Sequence, residues 1–161
     1  MRRIDSSGRL LCEIQARLFE KSLSYFSGSS PIFIRRFLYS EVATHISDGT
    51  FLLLNLSDEG VFAALDQQFG PSHYGSTRYE ANALYWAGYL YAYWAYTEET
   101  PMKLLLSLCP SSELISFYEP LHTEDPGAAI RSIKEAKGLK EVDLQAETVR
   151  LLKKLHAQKK E

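Results

Sequence analysis

The residues best suited to acid–base chemistry are Arg35, Glu41 and His45, which lie within one apolar stretch, residues 31–47. Glu41 and His45 are four residues apart, so their side chains can touch on one face of a helix. Arg35 falls on the flank of the same apolar arc. Because buried charges must be paired, the trio is either a buried polar network or a site. As a site, it would use His45 as a general base oriented by Glu41.

The other reactive side chains form no recognisable motif. Cys12 and Cys109 are far apart and lie in apolar patterns, which is typical of buried structural thiols. The four histidines are too scattered for a metal site, and they are His45, His73, His122 and His156. The sequence has no Gly-rich phosphate loop, GxSxG or HExxH motif. We therefore predict no catalytic residue, no metal and no cofactor, so the protein is expected not to be an enzyme.

Bulk composition narrows the class of protein. A chain of 161 residues with 45% hydrophobic and 24% charged residues is expected to form one globular domain. Its formal net charge of −2 disfavours nucleic acid as a partner. Arg2 and Arg3 are not followed by an apolar segment long enough for a secretory signal. A cytoplasmic location is the simplest expectation for a chain with two free thiols.

One stretch, residues 79–97, must organise the fold. It reads YEANALYWAGYLYAYWAYT and holds both tryptophans, six of the ten tyrosines and a single charge, Glu80. A helix that is apolar all round is normally buried. A membrane span is excluded because hydroxyls are many and Leu, Ile and Val are scarce. Gly88, in the middle, predicts close approach of another helix on its small-residue side.

The rest of the chain supplies amphipathic helices that cover this central one. Their predicted ranges are 9–26, 31–47, 57–69, 101–109, 111–119 and 126–137. Ser57 is predicted to cap the helix at 57–69 and Asp125 the helix at 126–137. The run FLLLNL, residues 51–56, is predicted to be a buried helix end or connecting segment. The fold is therefore predicted to be all-α. A single domain, residues 1–138, has about six or seven helices around the central helix, and a C-terminal helical extension, residues 139–161, follows it.

The extension differs from the body in composition. Leu144, Thr148, Leu151 and Leu155 form a weak apolar seam on a lysine-rich helix. The seam is too short to predict a coiled coil. The helix is expected either to pack on the body or to bind a partner, and the pattern leaves a homodimer or an oligomeric scaffold open.

Three segments in this order and spacing resemble a known group of proteins. They are FIRRFLYSEVA (33–43), YGSTRYEANALYWAGYLYAYW (74–94) and LHTEDPGAAIRSI (121–133). Together they resemble small bacterial proteins of unknown activity that are encoded beside predicted ADP-ribosyltransferase-like toxins and are regarded as antitoxin components. The chain departs from the group at Leu121, where the group often has tyrosine, and in its tail.

The resemblance implies a non-catalytic binding module that neutralises a cognate toxin enzyme by direct occlusion. Tyrosine anchors would exclude water from such an interface. The residues expected to bind the partner come from the second tyrosine stripe of the central helix, from the loop at 72–78 and from the tail: Tyr74, Tyr85, Tyr89, Tyr96, Leu151 and Leu155. The rival hypothesis is a small enzyme that uses Arg35, Glu41 and His45, joined by His122.

Overall fold

The computed structural model describes residues 2–139 and 149–157. Within them the fold is all-α, in one compact domain with a buried aromatic cluster. The helices are α1 (Ser6–Tyr25), α2 (Ser30–Leu38), α3 (Glu41–Asp48), α4 (Phe51–Leu54), α5 (Asp58–Phe69), α6 (Ala81–Thr97), α7 (Met102–Leu108), α8 (Ser111–Ser116), α9 (Tyr118–Leu121), α10 (Pro126–Lys137) and α11 (149–157). The all-α prediction is confirmed, although the described residues form more helices than six or seven.

Short polar side chains decide where several helices begin. Asp5 accepts a hydrogen bond from the Gly8 amide at 2.7 Å and so caps α1. Ser57 caps α5 and Asp125 caps α10 in the same way, by accepting bonds from amides of the first turn. These contacts satisfy donors that have no partner within the helix. The caps at Ser57 and Asp125 agree with the sequence prediction.

The main packing contact of the fold is between α1 and α6, which lie side by side and approach closely at Gly88. A Cβ atom placed on Gly88 would lie 2.9 Å from the Gln15 carbonyl oxygen and 3.0 Å from the Ala16 Cα atom. The buried Gln15 side chain donates from Nε2 to the Gly88 carbonyl at 2.9 Å. The close helix approach predicted at Gly88 is therefore present, and α1 is the helix that makes it.

Two polar contacts join the second half of α6 to its neighbours. The Tyr91 hydroxyl is buried and donates to the Cys109 carbonyl at 2.6 Å. Burial raises the pKa of Tyr91 well above its usual range. Glu98 accepts a hydrogen bond from the Trp94 indole at 2.9 Å and forms an ion pair with Lys134 of α10. These contacts satisfy polar atoms where α6 meets the rest of the core.

The predicted helix 31–47 is two helices, because the chain turns at Tyr39 and Ser40. The α2 helix ends at Leu38, and Ser40 caps α3 by accepting from the Ala43 amide at 3.1 Å. If one helical period is extended across residues 39 and 40, the residues after the turn are placed on the wrong side of the helix. This break changes the position of Arg35 relative to Glu41.

The leucine run at 51–56 is exposed, so its predicted burial is wrong. Phe51 is buried, whereas Leu53 is 84% exposed and Leu52 and Leu54 are also exposed. The α4 helix has one turn, and Asn55 ends it in the left-handed conformation with φ of 52°. A single turn buries only the side chain on its inner face, here Phe51.

Part of the C-terminal extension lies outside the described residues, including Leu144 and Thr148. Leu151 is half-buried in α11, and Leu155 is 40% exposed. Among the helices that the structure describes, none is long and apolar enough to cross a membrane.

The two cysteines are buried and free, as the sequence predicts. Burial raises the pKa of Cys12 to about 12 and that of Cys109 to about 11. At pH 8 the thiolate fraction of either residue is then about one in a thousand or less. We expect a disulfide reagent such as Ellman's reagent to label neither thiol in the folded protein, and both after unfolding in guanidinium. Rapid labelling of the folded protein would contradict this prediction.

Candidate functional site

An open aromatic groove of about 340 Å³ lies beside the first half of α6. Leu90, which is buried, forms part of its floor. The residues that line it come from α6, from α9 and from the segment that leads into α10: Asn82, Tyr85, Trp86, Tyr89, Leu90, Tyr118, His122, Glu124 and Pro126. We call this feature the aromatic groove. It contains two of the tyrosines, Tyr85 and Tyr89, that the sequence analysis assigns to partner binding.

Helical spacing positions the rings on both sides of the groove. Tyr85 and Tyr89 are four residues apart on α6, so they project from the same side of that helix. Tyr118 and His122 have the same spacing, and their rings stack with centroids 4.6 Å apart. Trp86 meets Tyr118 edge to face at 5.8 Å. The two walls therefore contact each other through aromatic rings and leave the groove open to solvent.

Contacts within the fold hold the rings in place. His122 Nδ1 lies 2.9 Å from the Tyr118 carbonyl oxygen, which can only accept a hydrogen bond. The proton in this contact is therefore on Nδ1, and Nε2 is left for other partners. Tyr89 stacks on Tyr93 with centroids 6.2 Å apart. Burial is the main cause that raises the pKa of Tyr89, so its hydroxyl stays neutral near pH 7.

The groove has an uneven charge distribution. Glu124 is the one Asp, Glu, Lys or Arg among the residues that line it in the described part of the chain. Glu124 is exposed, and its carboxylate makes no hydrogen bond or ion pair with residues 2–139 or 149–157. Its neighbour Asp125 is engaged in capping α10. The groove therefore presents aromatic faces together with one unpaired negative charge.

Tyr96 belongs to the predicted stripe but not to the groove. Its hydroxyl donates to Asp5 at 3.0 Å, and the Arg2 guanidinium lies 4.1 Å from its ring centroid. A Cβ atom on Gly8 would lie 2.8 Å from the same ring. The N-terminal segment thus contacts Tyr96, which is half-buried like Tyr89 and lines a second concavity instead of the groove.

The 72–78 loop is tied to the end of α1, although the ring of Tyr74 is 79% exposed. Arg78 donates to the carbonyl oxygens of Phe26 at 2.7 Å and Gly28 at 3.0 Å. The Ser29 amide donates to the Tyr74 carbonyl at 3.0 Å. The backbone at Tyr74 is therefore fixed while its ring is free for contact, and Tyr74 does not line the groove.

The predicted buried network of Arg35, Glu41 and His45 is wrong. Arg35 and Glu41 are exposed and His45 is half-buried. His45 Nδ1 is bonded to the Thr50 hydroxyl at 2.7 Å instead. In the described part of the chain no hydrogen bond or ion pair joins the three residues. The turn between α2 and α3 separates Arg35 from the other two residues, whereas Glu41 and His45 share α3 and fail to pair because His45 is bonded to Thr50.

A second concavity, of about 440 Å³, lies where α3 meets the end of α6 and the start of α7. Its charged residues are balanced, with Arg2 and Lys103 against Asp48 and Glu99. Glu99 has a φ of 51°, in the left-handed region. Arg2 already contacts Tyr96, so one of the two cations of this concavity is engaged within the fold. Arg35, Glu41 and His45 line neither concavity.

The tail residues predicted to bind the partner, Leu151 and Leu155 of α11, do not line the aromatic groove. Among the described residues, no group of three His, Cys, Asp or Glu side chains could hold a metal ion. Trp86, Tyr118 and Glu124 line the groove, although the sequence did not predict them as partner-binding residues. The signal in the sequence that could have identified this wall of the groove is the four-residue spacing of the aromatic side chains Tyr118 and His122.

Comparison of the chain with protein-family models, with curated proteins and with solved structures finds no match in any of the three. The aromatic groove and its surroundings are therefore the physical basis for a functional proposal.

Proposed function

We propose that the protein is a non-catalytic binding module that inhibits a partner enzyme by covering it, the antitoxin role that the sequence resemblance implies. The observation that carries this proposal is the aromatic groove, where Tyr85, Trp86, Tyr89 and Tyr118 surround open space. Tyr and Trp are the residues most often found at the energetic centre of protein interfaces. The partner is the toxin-like enzyme expected from the neighbouring gene.

The size of the groove is consistent with a centre of contact rather than a whole interface. A stable interface buries about 800 Å² on each partner, which is a little under a tenth of this protein's 9292 Å² of accessible surface. The groove would receive one projecting element of the partner, and the surrounding surface would form the polar rim. Tyr74 and Leu155 are exposed and are candidates for additional contacts.

The alternative, a small enzyme that uses Arg35, Glu41 and His45, has less support from the geometry. The three side chains do not converge, and none lines the groove or the second concavity. A general base needs a substrate proton within hydrogen-bonding reach and a site that holds the substrate there.

The proposal is tested by co-expressing the full chain with the product of the adjacent gene. We expect that product to arrest growth when it is expressed alone and to be harmless with this protein, and the two to co-purify. Tyr85→Ala is expected to weaken the complex by about 1–2 kcal/mol, or roughly 5- to 30-fold in Kd, because it removes a central anchor. Isothermal titration calorimetry measures the change.

The matched control is Tyr39→Ala. Tyr39 is 47% exposed, close to the 38% of Tyr85, but it lines the second concavity instead of the groove. This variant is expected to leave the Kd within about twofold of the unmodified protein, as for a residue outside the interface centre. Equal losses for the two variants, or no complex with the unmodified chain, would contradict the proposal.

A further inference from the structure

We propose that the aromatic groove recognises an arginine side chain projecting from the partner. This inference rests on the proposed function and specifies the chemistry of the contact. A guanidinium group would lie against the faces of the groove's rings and approach the carboxylate of Glu124.

The charges around the groove favour a cation. Glu124 is the one Asp, Glu, Lys or Arg among the described lining residues, and its carboxylate has no partner in the part of the chain that the structure describes. Asp125, its neighbour in the chain, carries a second carboxylate. Arg9 acts on Tyr89 of the groove and, with Arg131, on the nearby Tyr93, but neither arginine lines the groove. An apolar or anionic side chain would leave the Glu124 carboxylate without a partner or opposed by a like charge.

The aromatic lining favours the same occupant. Four Trp and Tyr side chains line the groove, and the faces of their rings attract cations through their quadrupoles. Arginine is preferred over lysine because its planar guanidinium stacks on rings and can donate two parallel hydrogen bonds to one carboxylate. The fold already uses this contact elsewhere, with Arg2 over Tyr96 at 4.1 Å and Arg36 near Phe69 at 5.7 Å.

The volume of the groove also limits the occupant. Small-molecule sites span roughly 300–1,000 Å³, and the groove, at about 340 Å³, lies at the lower end. This volume has room for one long side chain. An arginine on a partner loop would reach the Glu124 end while its methylene stem lies along the rings.

The test uses the two tryptophans as internal reporters. The full chain, labelled with ¹⁵N, is titrated with acetyl-arginine methylamide, and the indole N–H signals are followed by NMR. Trp86 lines the groove, whereas Trp94 is buried and bonded to Glu98. We expect the Trp86 signal to shift with a millimolar Kd and the Trp94 signal to stay in place. Acetyl-leucine methylamide is expected to cause no saturable shift, and acetyl-lysine methylamide to bind more weakly than the arginine probe.

Glu124→Gln removes the negative charge from the groove and keeps the shape of the side chain. It is expected to weaken binding of the arginine probe by about 2- to 5-fold, the range for an exposed ion pair. Glu119→Gln is the control, since Glu119 is an exposed carboxylate of α9 that does not line the groove. It is expected to leave the Kd unchanged.

Several results would overturn the inference: no Trp86 shift, an equal response to the leucine probe, lysine binding as tightly as arginine, or no effect of Glu124→Gln. These failures are distinct from a failure of the proposed function. If Tyr85→Ala weakens the partner complex while the arginine probe does not bind, the occlusion proposal stands and arginine recognition falls. If the probe binds but no complex with the neighbouring gene product forms, arginine recognition stands and occlusion falls.

Discussion

Gly88→Leu is expected to lower the free energy of unfolding by about 3 kcal/mol or more, the upper range for overpacking in a well-packed core. Even the first carbon of the new side chain would lie 2.8 Å from Phe19 Cγ and 2.9 Å from the Gln15 carbonyl oxygen. Two of the three nearest atoms belong to the backbone of α1, which cannot move aside by a change of rotamer. The helices must separate, and the hydrogen bond from Gln15 to the Gly88 carbonyl then weakens.

Urea denaturation followed by circular dichroism measures this effect, and thermal unfolding should show a decrease in Tm of about 6–12 °C for a loss of 3 kcal/mol. Gly88→Ala is a milder form of the same test. Its gain in helix propensity of about 1 kcal/mol is expected to be smaller than the cost of the contact with α1.

Gly60→Ala is the matched control for Gly88. Gly60 also lies within a helix, α5, but its added Cβ atom would be 3.3 Å from the Ser57 hydroxyl oxygen and 3.4 Å from Leu56 Cδ2, both on side chains. We expect this variant to change stability by less than about 1 kcal/mol. If Gly88→Leu were as stable as Gly60→Ala, α1 and α6 would not be in contact as described.

Trp94→Ala is expected to cost about 3–5 kcal/mol of stability, the usual range for removing a fully buried aromatic ring. Trp94 has no exposed surface and is among the largest buried side chains of the core. The substitution also removes the indole donor to Glu98 and the ring beside the Lys134 ammonium group. Glu98 then keeps Lys134 as its partner, but the space left by the ring is too deep for the surrounding helices to fill.

Trp86→Ala makes the same chemical change at the other tryptophan. Trp86 is half-buried and lines the groove, so its removal is expected to cost about 1–2 kcal/mol. Urea denaturation of the two variants under identical conditions checks the ranking. Similar losses of stability for the two variants would show that Trp86 is a core residue and would remove one wall of the proposed binding groove.

Helical periodicity predicted the central helix and the close approach at Gly88 because both depend on local spacing. It could not separate Trp86 from Trp94, which are eight residues apart and so lie nearly on one face. The neighbours along α6 differ: Trp86 meets Tyr118 of α9, while Trp94 reaches Glu98 and Lys134. Exposure of each ring depends on those neighbours and not on its position on the helix.

Periodicity failed where the chain changes direction within an apolar stretch. Arg35 and Glu41 seemed to share an arc because residues 31–47 read as one helix, but Ser40 begins a new helix with its own cap. The leucines at 52–54 seemed buried because they are apolar, but a one-turn helix turns only Phe51 inward. In both cases the local composition was interpreted correctly, but composition does not determine the direction in which the chain continues after a turn.

By itself, the sequence determined the helical class, the central role of residues 79–97, the caps at Ser57 and Asp125 and the buried state of the two thiols. These features follow from the order of residues along single helices, where neighbours in sequence are neighbours in space. The tertiary structure alone decided that Tyr85 and Tyr89 line the aromatic groove, while Tyr96 contacts Arg2 and the start of α1 and lines the second concavity. It also placed Tyr118, His122 and Glu124 opposite the tyrosines, because a groove is made by residues that only chain packing brings together.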